Sequence, residues 1–145
     1  MPIQFQHASL PELALGVLLG SLIVSVLLAF PLKLTAESIF KYPVRLFSAL
    51  KALFVAYFTL TALIIALVKL GAVDVARSGS IALQIIGLAV GLVILAFSIA
   101  AFIRDPAGKR PDFAQSGVVA AIMQVISLLI ALVLTTLDLP MNGRP

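Results

Sequence analysis

The side chains that could carry chemistry in this sequence are few, and they lie at the edges of its apolar segments. His7 is the sole histidine and there is no cysteine, so a Ser–His–carboxylate triad or a membrane haem would lack well-placed imidazoles. Glu12 and Asp138 stand at the start of the first apolar run and the end of the last. They could together hold a cation weakly, although two solvated acids are the simpler interpretation. We therefore predict that the protein is not an enzyme and holds no cofactor and no metal.

Gln124 is the one amide inside the last apolar run, "AIMQVISLLIALV" at residues 121–133. It could line a substrate path, or it could form a hydrogen bond to a neighbouring helix. An unpaired amide in hydrocarbon is costly, and we favour the interhelical hydrogen bond. Every Lys, Arg, Asp and Glu lies in a loop or at the end of a run, so no charge marks an ion path and an ion-coupled pump is disfavoured.

The segments that must position these side chains make up most of the chain. Of the 145 residues, 62% are hydrophobic and 11% are charged, with a mean hydropathy of +1.21, whereas a soluble domain is about half apolar and a quarter charged. Charge-free runs long enough to cross a bilayer predict transmembrane helices at residues 12–32, 50–69, 80–103 and 115–137. The expected fold is all-α: a polytopic integral membrane protein, with one membrane domain of four transmembrane helices in a compact bundle.

The basic residues predict the orientation of these spans. Most of them flank the loops between spans one and two and between spans three and four, and the opposite side holds only Lys69, Arg77 and Arg144. Cytoplasmic loops are enriched in Lys and Arg, so we predict that both richer loops are cytoplasmic and both termini outside, in a plasma membrane of the bacterial inner type. This topology accounts for the net charge of +4, and no nucleic-acid partner is predicted.

The segment at residues 33–49 interleaves basic residues with aromatic and aliphatic ones. Such a segment can lie in the headgroup region with its cations facing the lipid phosphates. Lys41, Arg45 and the neighbouring Lys51 are therefore candidates for docking to the membrane surface or to a partner. An ordinary interfacial connector is the alternative interpretation.

Small residues recur at helical spacing on every predicted span. GxxxG occurs at Gly16 and Gly20 and again at Gly87 and Gly91, and such faces let helix backbones approach closely. The residues predicted to serve helix packing or assembly are Gly16, Gly20, Gly87, Gly91, Gly117, Gln124 and Ser127. The two GxxxG runs, with a phrase shared by spans two and four, also suggest two tandem helical hairpins related by an axis along the membrane normal.

These observations favour a non-enzymatic role. The leading prediction is a small integral membrane subunit that packs by its small-residue helix faces into a larger membrane complex or into its own oligomer, with a structural or accessory role. Its predicted partners are membrane lipid and other membrane subunits or further copies of itself. The alternative is a small oligomeric channel or transporter for a neutral or weakly charged solute.

Overall fold

The computed structural model describes residues 10–71 and 81–138, which form four α-helices. They are α1 (Leu10–Phe40), α2 (Leu46–Lys69), α3 (Ile81–Phe102) and α4 (Phe113–Asp138). Each helix contains a stretch long and apolar enough to cross a membrane. The prediction of an all-α fold with four helices long and apolar enough to span a membrane is therefore confirmed, and these helices suggest a multi-pass membrane protein.

The first helix is longer than the sequence indicated. It continues through Pro31 and ends at Phe40, whereas the predicted span ended at residue 32. The Thr35 hydroxyl donates a hydrogen bond to the Pro31 carbonyl one turn earlier, at 2.9 Å. Leu32, Ala36 and Phe40 are buried on one face, so packing favours helix beyond the proline. Of the segment at residues 33–49, only 41–45 lies between helices; its location at the membrane surface stays a prediction.

The turn between α1 and α2 is fixed by hydrogen bonds and ring stacking. Lys41 adopts a left-handed backbone conformation with a φ of 61°, and its N–H donates to the Glu37 carbonyl at 3.1 Å, as in the αL motif that ends many helices. The Glu37 carboxylate accepts a hydrogen bond from the Val44 N–H at 2.9 Å. The rings of Phe40 and Tyr42 stack with their centroids 5.5 Å apart. These contacts join the end of α1 to the loop that leads into α2.

The loop between α3 and α4 lies at the same end of the molecule. The Asp105 carboxylate accepts a hydrogen bond from the Lys109 N–H at 2.7 Å, and Gly108 turns the chain with a φ of 82°, a conformation that glycine adopts without strain. Burial raises the pKa of Tyr42, and the negative charge of Asp105 raises it further. The effect of Asp105 on Tyr42 is a consequence of the two loops lying near each other.

The helices form a ring in which each contacts its neighbours along the chain, and α1 also packs against α4. The main buried cluster lies next to the two loops. We call this region the packed half: residues 28–40 of α1, 46–56 of α2, 91–102 of α3 and 113–123 of α4. The open half is residues 57–69 of α2, 81–90 of α3 and 124–136 of α4, where no described side chain is buried.

Candidate functional site

A cavity of about 190 Å³ lies between α2, α3 and α4, where the packed half meets the open half. Each of the three helices contributes one turn or two to its wall. Its lining residues are Ala56, Tyr57 and Leu60 from α2, Leu88, Gly91 and Leu95 from α3, and Gln124, Ser127 and Leu128 from α4. The wall is therefore mostly apolar, with polar groups at three positions.

Gln124 connects α4 to α3. Its side-chain nitrogen Nε2 donates a hydrogen bond to the Leu88 carbonyl oxygen at 3.2 Å, so the predicted interhelical bond has its other end within the same chain. The orientation of the amide follows from this bond, because only the NH₂ group can face a carbonyl oxygen. The other amide atom, Oε1, is buried and has no hydrogen-bond partner. Gln124 thus joins two helices through its NH₂ group, while its buried oxygen has no hydrogen-bond partner.

Gly91 makes room for this amide. A Cβ atom added at Gly91 would lie 3.3 Å from Gln124 Nε2 and 3.5 Å from Leu60 Cδ2. Gly91 is buried, and it is the glycine of the second GxxxG run whose missing side chain lets a neighbouring group approach. The close approach here is between a helix backbone and a side-chain amide.

Tyr57 and Ser127 join α2 to α4 across the same cavity. Their hydroxyl oxygens lie 3.1 Å apart, and the Ser127 hydroxyl also donates to the Met123 carbonyl at 2.9 Å. Because the Ser127 proton is used in that bond, the Tyr57 hydroxyl is the donor to Ser127. The sequence analysis singled out Ser127 but not Tyr57. Tyr57 could have been identified from its hydroxyl group within an apolar span, because a buried tyrosine hydroxyl normally has a hydrogen-bond partner.

The other predicted packing glycines lie apart from this cavity. A Cβ added at Gly16, Gly20, Gly87 or Gly117 would meet nothing within 4 Å. Within the part of the chain that the structure describes, Gly91 is thus the one of these five glycines whose added Cβ would contact a side chain of another helix. The role of the other four in assembly stays a prediction.

The predicted docking residues lie on the surface at the turn between α1 and α2. Lys41, Arg45 and Lys51 are all exposed. The Lys51 ammonium lies over the Phe47 ring, 4.6 Å from its centroid, and the Arg45 carbonyl accepts hydrogen bonds from the first turn of α2. Phe47 is itself largely exposed. Cations and an apolar ring are therefore neighbours here, and docking to lipid or to a partner stays a prediction.

The carboxylates considered above lie at opposite ends of the chain, and a cation site formed by the two of them stays a prediction. Glu12 lies in the first turn of α1 and Asp138 is the last residue of α4, while His7 lies outside the described residues. Within residues 10–71 and 81–138, no group of three or more His, Cys, Asp or Glu residues could hold a metal ion. Comparison of the chain with known protein families, curated proteins and solved structures finds no match.

Proposed function

We propose that this protein is a non-enzymatic integral membrane subunit that packs into a larger membrane complex or into its own oligomer and serves a structural or accessory role. It would lie in a bacterial inner membrane with both termini outside and with the α1–α2 and α3–α4 loops in the cytoplasm. The observation that carries the proposal is the GxxxG face of α1, where Gly16 and Gly20 are exposed and have open space around them.

Glycine inside a helix is unfavourable by about 0.5–1 kcal/mol relative to alanine. At Gly91 a close neighbour accounts for the glycine, whereas Gly16 and Gly20 have no such neighbour among residues 10–71 and 81–138. They lie one turn apart on the same side of α1, and this spacing suits a second helix crossing closely at this point. A helix from another chain is the occupant that would give these two glycines a function.

The open half supports the same proposal. Large apolar side chains such as Ile64, Ile86 and Leu132 remain exposed there, and they offer surface to lipid and to neighbouring helices alike. Partner helices in membranes are held by close backbone packing rather than by a hydrophobic drive, because lipid is as apolar as leucine. We therefore place the principal contact at the glycine face of α1 and expect lipid over much of the remaining surface.

Native mass spectrometry after gentle detergent extraction tests this proposal. The wild-type protein should appear at a fixed stoichiometry with other membrane subunits or with further copies of itself. The double change Gly16→Leu and Gly20→Leu should release it, because the added side chains hold the partner backbone away. Ala14→Leu is the matched control, since Ala14 is an exposed small residue of α1 on the other side of its buried stripe. A wild-type monomer under the gentlest conditions would contradict the proposal.

The channel or transporter alternative rests on the polar groups of the cavity. Gln124 and Ser127 could contact a neutral solute if several copies were arranged around a shared path. Reconstitution into liposomes distinguishes the two functions. A structural subunit should leave glycerol permeability at the level of empty liposomes, whereas a channel would raise it and would lose flux in Gln124→Leu while remaining assembled.

A further inference from the structure

We propose that the outer side of α2 binds one anionic phospholipid, with the headgroup phosphate at the Lys51 ammonium and an acyl chain along the aromatic rings that follow it. We call this surface the aromatic face; it consists of Phe47, Lys51, Phe54 and Phe58. The site is separate from the glycine face of α1. It requires that α2 cross a membrane and does not depend on whether the protein assembles with partners.

The aromatic face points away from the rest of the bundle. Its residues follow one another at spacings of four, three and four, which places them on one side of a helix. Phe47 is 65% exposed and Phe58 is 38% exposed. The buried residues of α2 lie on the opposite side of the helix; they are Ala49, Ala52, Leu53 and Ala56. Within the part of the chain that the structure describes, the aromatic face is therefore open to its surroundings.

Lys51 lies where the charge-free run of α2 begins. Its ammonium nitrogen is 4.6 Å from the centroid of the Phe47 ring, which is one turn nearer the start of the helix. Lysine side chains at the ends of membrane helices extend in this direction, because the ammonium then reaches the headgroup region while the methylene stem stays on apolar surface. A headgroup phosphate can therefore accept a hydrogen bond from this ammonium.

The balance of charge at this end of the molecule favours an anionic lipid. Residues 33–51 and 104–112 together contain seven Lys or Arg and three Asp or Glu. Glu37 is paired with Lys33 at 3.2 Å, whereas Lys51 has no ion pair among the described residues. The first turn of α2 contains no acidic residue. A zwitterionic headgroup carries its own cation, so a headgroup with a net negative charge is attracted more strongly to this surface.

The rings that follow Lys51 offer a surface to an acyl chain. The rings of Phe54 and Phe58 stack with their centroids 5.9 Å apart. Phe58 comes two turns after Lys51, which is about 10 Å along the helix axis. This depth corresponds to the middle of an acyl chain whose phosphate lies at the ammonium. The rings supply dispersion contacts along that chain, so the aromatic face matches both the charged and the apolar part of one phospholipid.

Quenching of tryptophan fluorescence by brominated lipids tests the proposal on the full-length protein in vesicles. The chain contains no tryptophan, so Phe58→Trp introduces a single reporter on the aromatic face. Phe97→Trp is the matched control, because Phe97 is an exposed ring on α3 that lies two turns before Arg104 at the same end of the molecule. Vesicles contain phosphatidylglycerol and phosphatidylcholine, and either lipid carries bromine at the middle of its acyl chains. The two degrees of quenching give the relative affinity of the lipids at each reporter.

We expect phosphatidylglycerol to bind about fivefold more strongly than phosphatidylcholine at the Phe58→Trp reporter, the attraction of about one basic residue for an anionic headgroup. At the Phe97→Trp reporter the preference should stay below about twofold, because Arg104 is next to Asp105, whose charge opposes its own. Lys51→Gln should abolish the preference at the Phe58→Trp reporter. Lys109→Gln removes the same charge from the exposed α3–α4 loop and should leave that preference unchanged.

Three results would overturn the proposal. Equal quenching by the two brominated lipids at the Phe58→Trp reporter would show that lipid solvates this face without selection. Weak quenching by both lipids there, with strong quenching at the Phe97→Trp reporter, would show that a helix of another chain covers the face. An equal loss of preference in Lys51→Gln and Lys109→Gln would assign the effect to the total charge of this end. The first two results come from proteins that retain Lys51, so they stand even if Lys51→Gln fails to fold.

Discussion

The packed half and the open half of the bundle are built from similar apolar residues but use them differently. On α2, Leu53 is fully buried, while Leu63 in the open half is 40% exposed. On α3, Ile99 is fully buried, while Ile85 is 60% exposed. In water such exposed residues would be drawn into a core, but lipid is as apolar as leucine and exerts no such force. Burial in this protein therefore follows close packing between helices and not hydrophobicity.

Alanine provides much of the close packing in the packed half. Ala49, Ala52 and Ala56 form a buried stripe on α2, and Ala96 and Ala120 are buried on α3 and α4. Small side chains at helical spacing bring the backbones together. The glycines that stand out in the sequence lie mostly outside this region, so the packed half shows that alanine stripes mark contacts within the chain.

The turns that follow α1 and α2 both contain a residue in the left-handed backbone conformation, but the residue types differ. After α2 the chain turns at Gly71, whose φ of 69° is unstrained for glycine. After α1 it turns at Lys41, whose φ of 61° is unfavourable for a residue with a Cβ. Strain of this kind persists where the surrounding structure determines the conformation. Around Lys41 the buried Phe40 and Val44 supply that constraint.

The largest expected effect on stability is at a fully buried leucine of the packed half. Leu53→Ala should lower the free energy of unfolding by about 2 kcal/mol or more, because it leaves a cavity among fully buried side chains. Leu63→Ala, the same change two to three turns further along α2, should lower it by less than about 1 kcal/mol, since lipid fills the space. Reversible unfolding in mixed micelles measures both. Equal losses would mean that the open half is packed as tightly as the packed half.

An intermediate effect is expected at the strained turn. Lys41→Gly should raise the free energy of unfolding by about 1 kcal/mol, because glycine adopts the left-handed conformation without a Cβ clash. Lys41→Ala removes the same ammonium group but keeps the Cβ, and it should change stability by less than about 0.5 kcal/mol. The same unfolding assay applies. A gain in both variants would assign the effect to the charge instead of the backbone.

The smallest expected effect compares two glycines of one motif. Gly87→Ala should stabilise α3 by about 0.5–1 kcal/mol through higher helix propensity, because nothing lies near its added Cβ. Gly91→Ala should fall short of that gain by about 0.6 kcal/mol, because its Cβ pushes the Gln124 amide away from Leu88. Thermal denaturation in detergent ranks the variants. If the two changes were equivalent, the Gln124 amide would have freedom to move aside without losing its bond.

The sequence was sufficient to predict four membrane-capable helices. Charged residues bound each apolar run, and the thickness of the bilayer sets the length that such a run must have. Both constraints are local along the chain, so no tertiary information was needed. The end of α1 was the exception: the prediction stopped beside Pro31, and only the burial of Ala36 and Phe40 against other helices shows why the helix continues.

Tertiary structure alone decided which faces meet. A helix that is apolar all round has no polar face to show which side points inward, so the sequence could not distinguish Gly91, which contacts Gln124, from Gly87, which has open space. The need of the Gln124 amide for a partner followed from its place in hydrocarbon. That Leu88 supplies this partner, and that Oε1 is buried without one, depends on how the helices pack together.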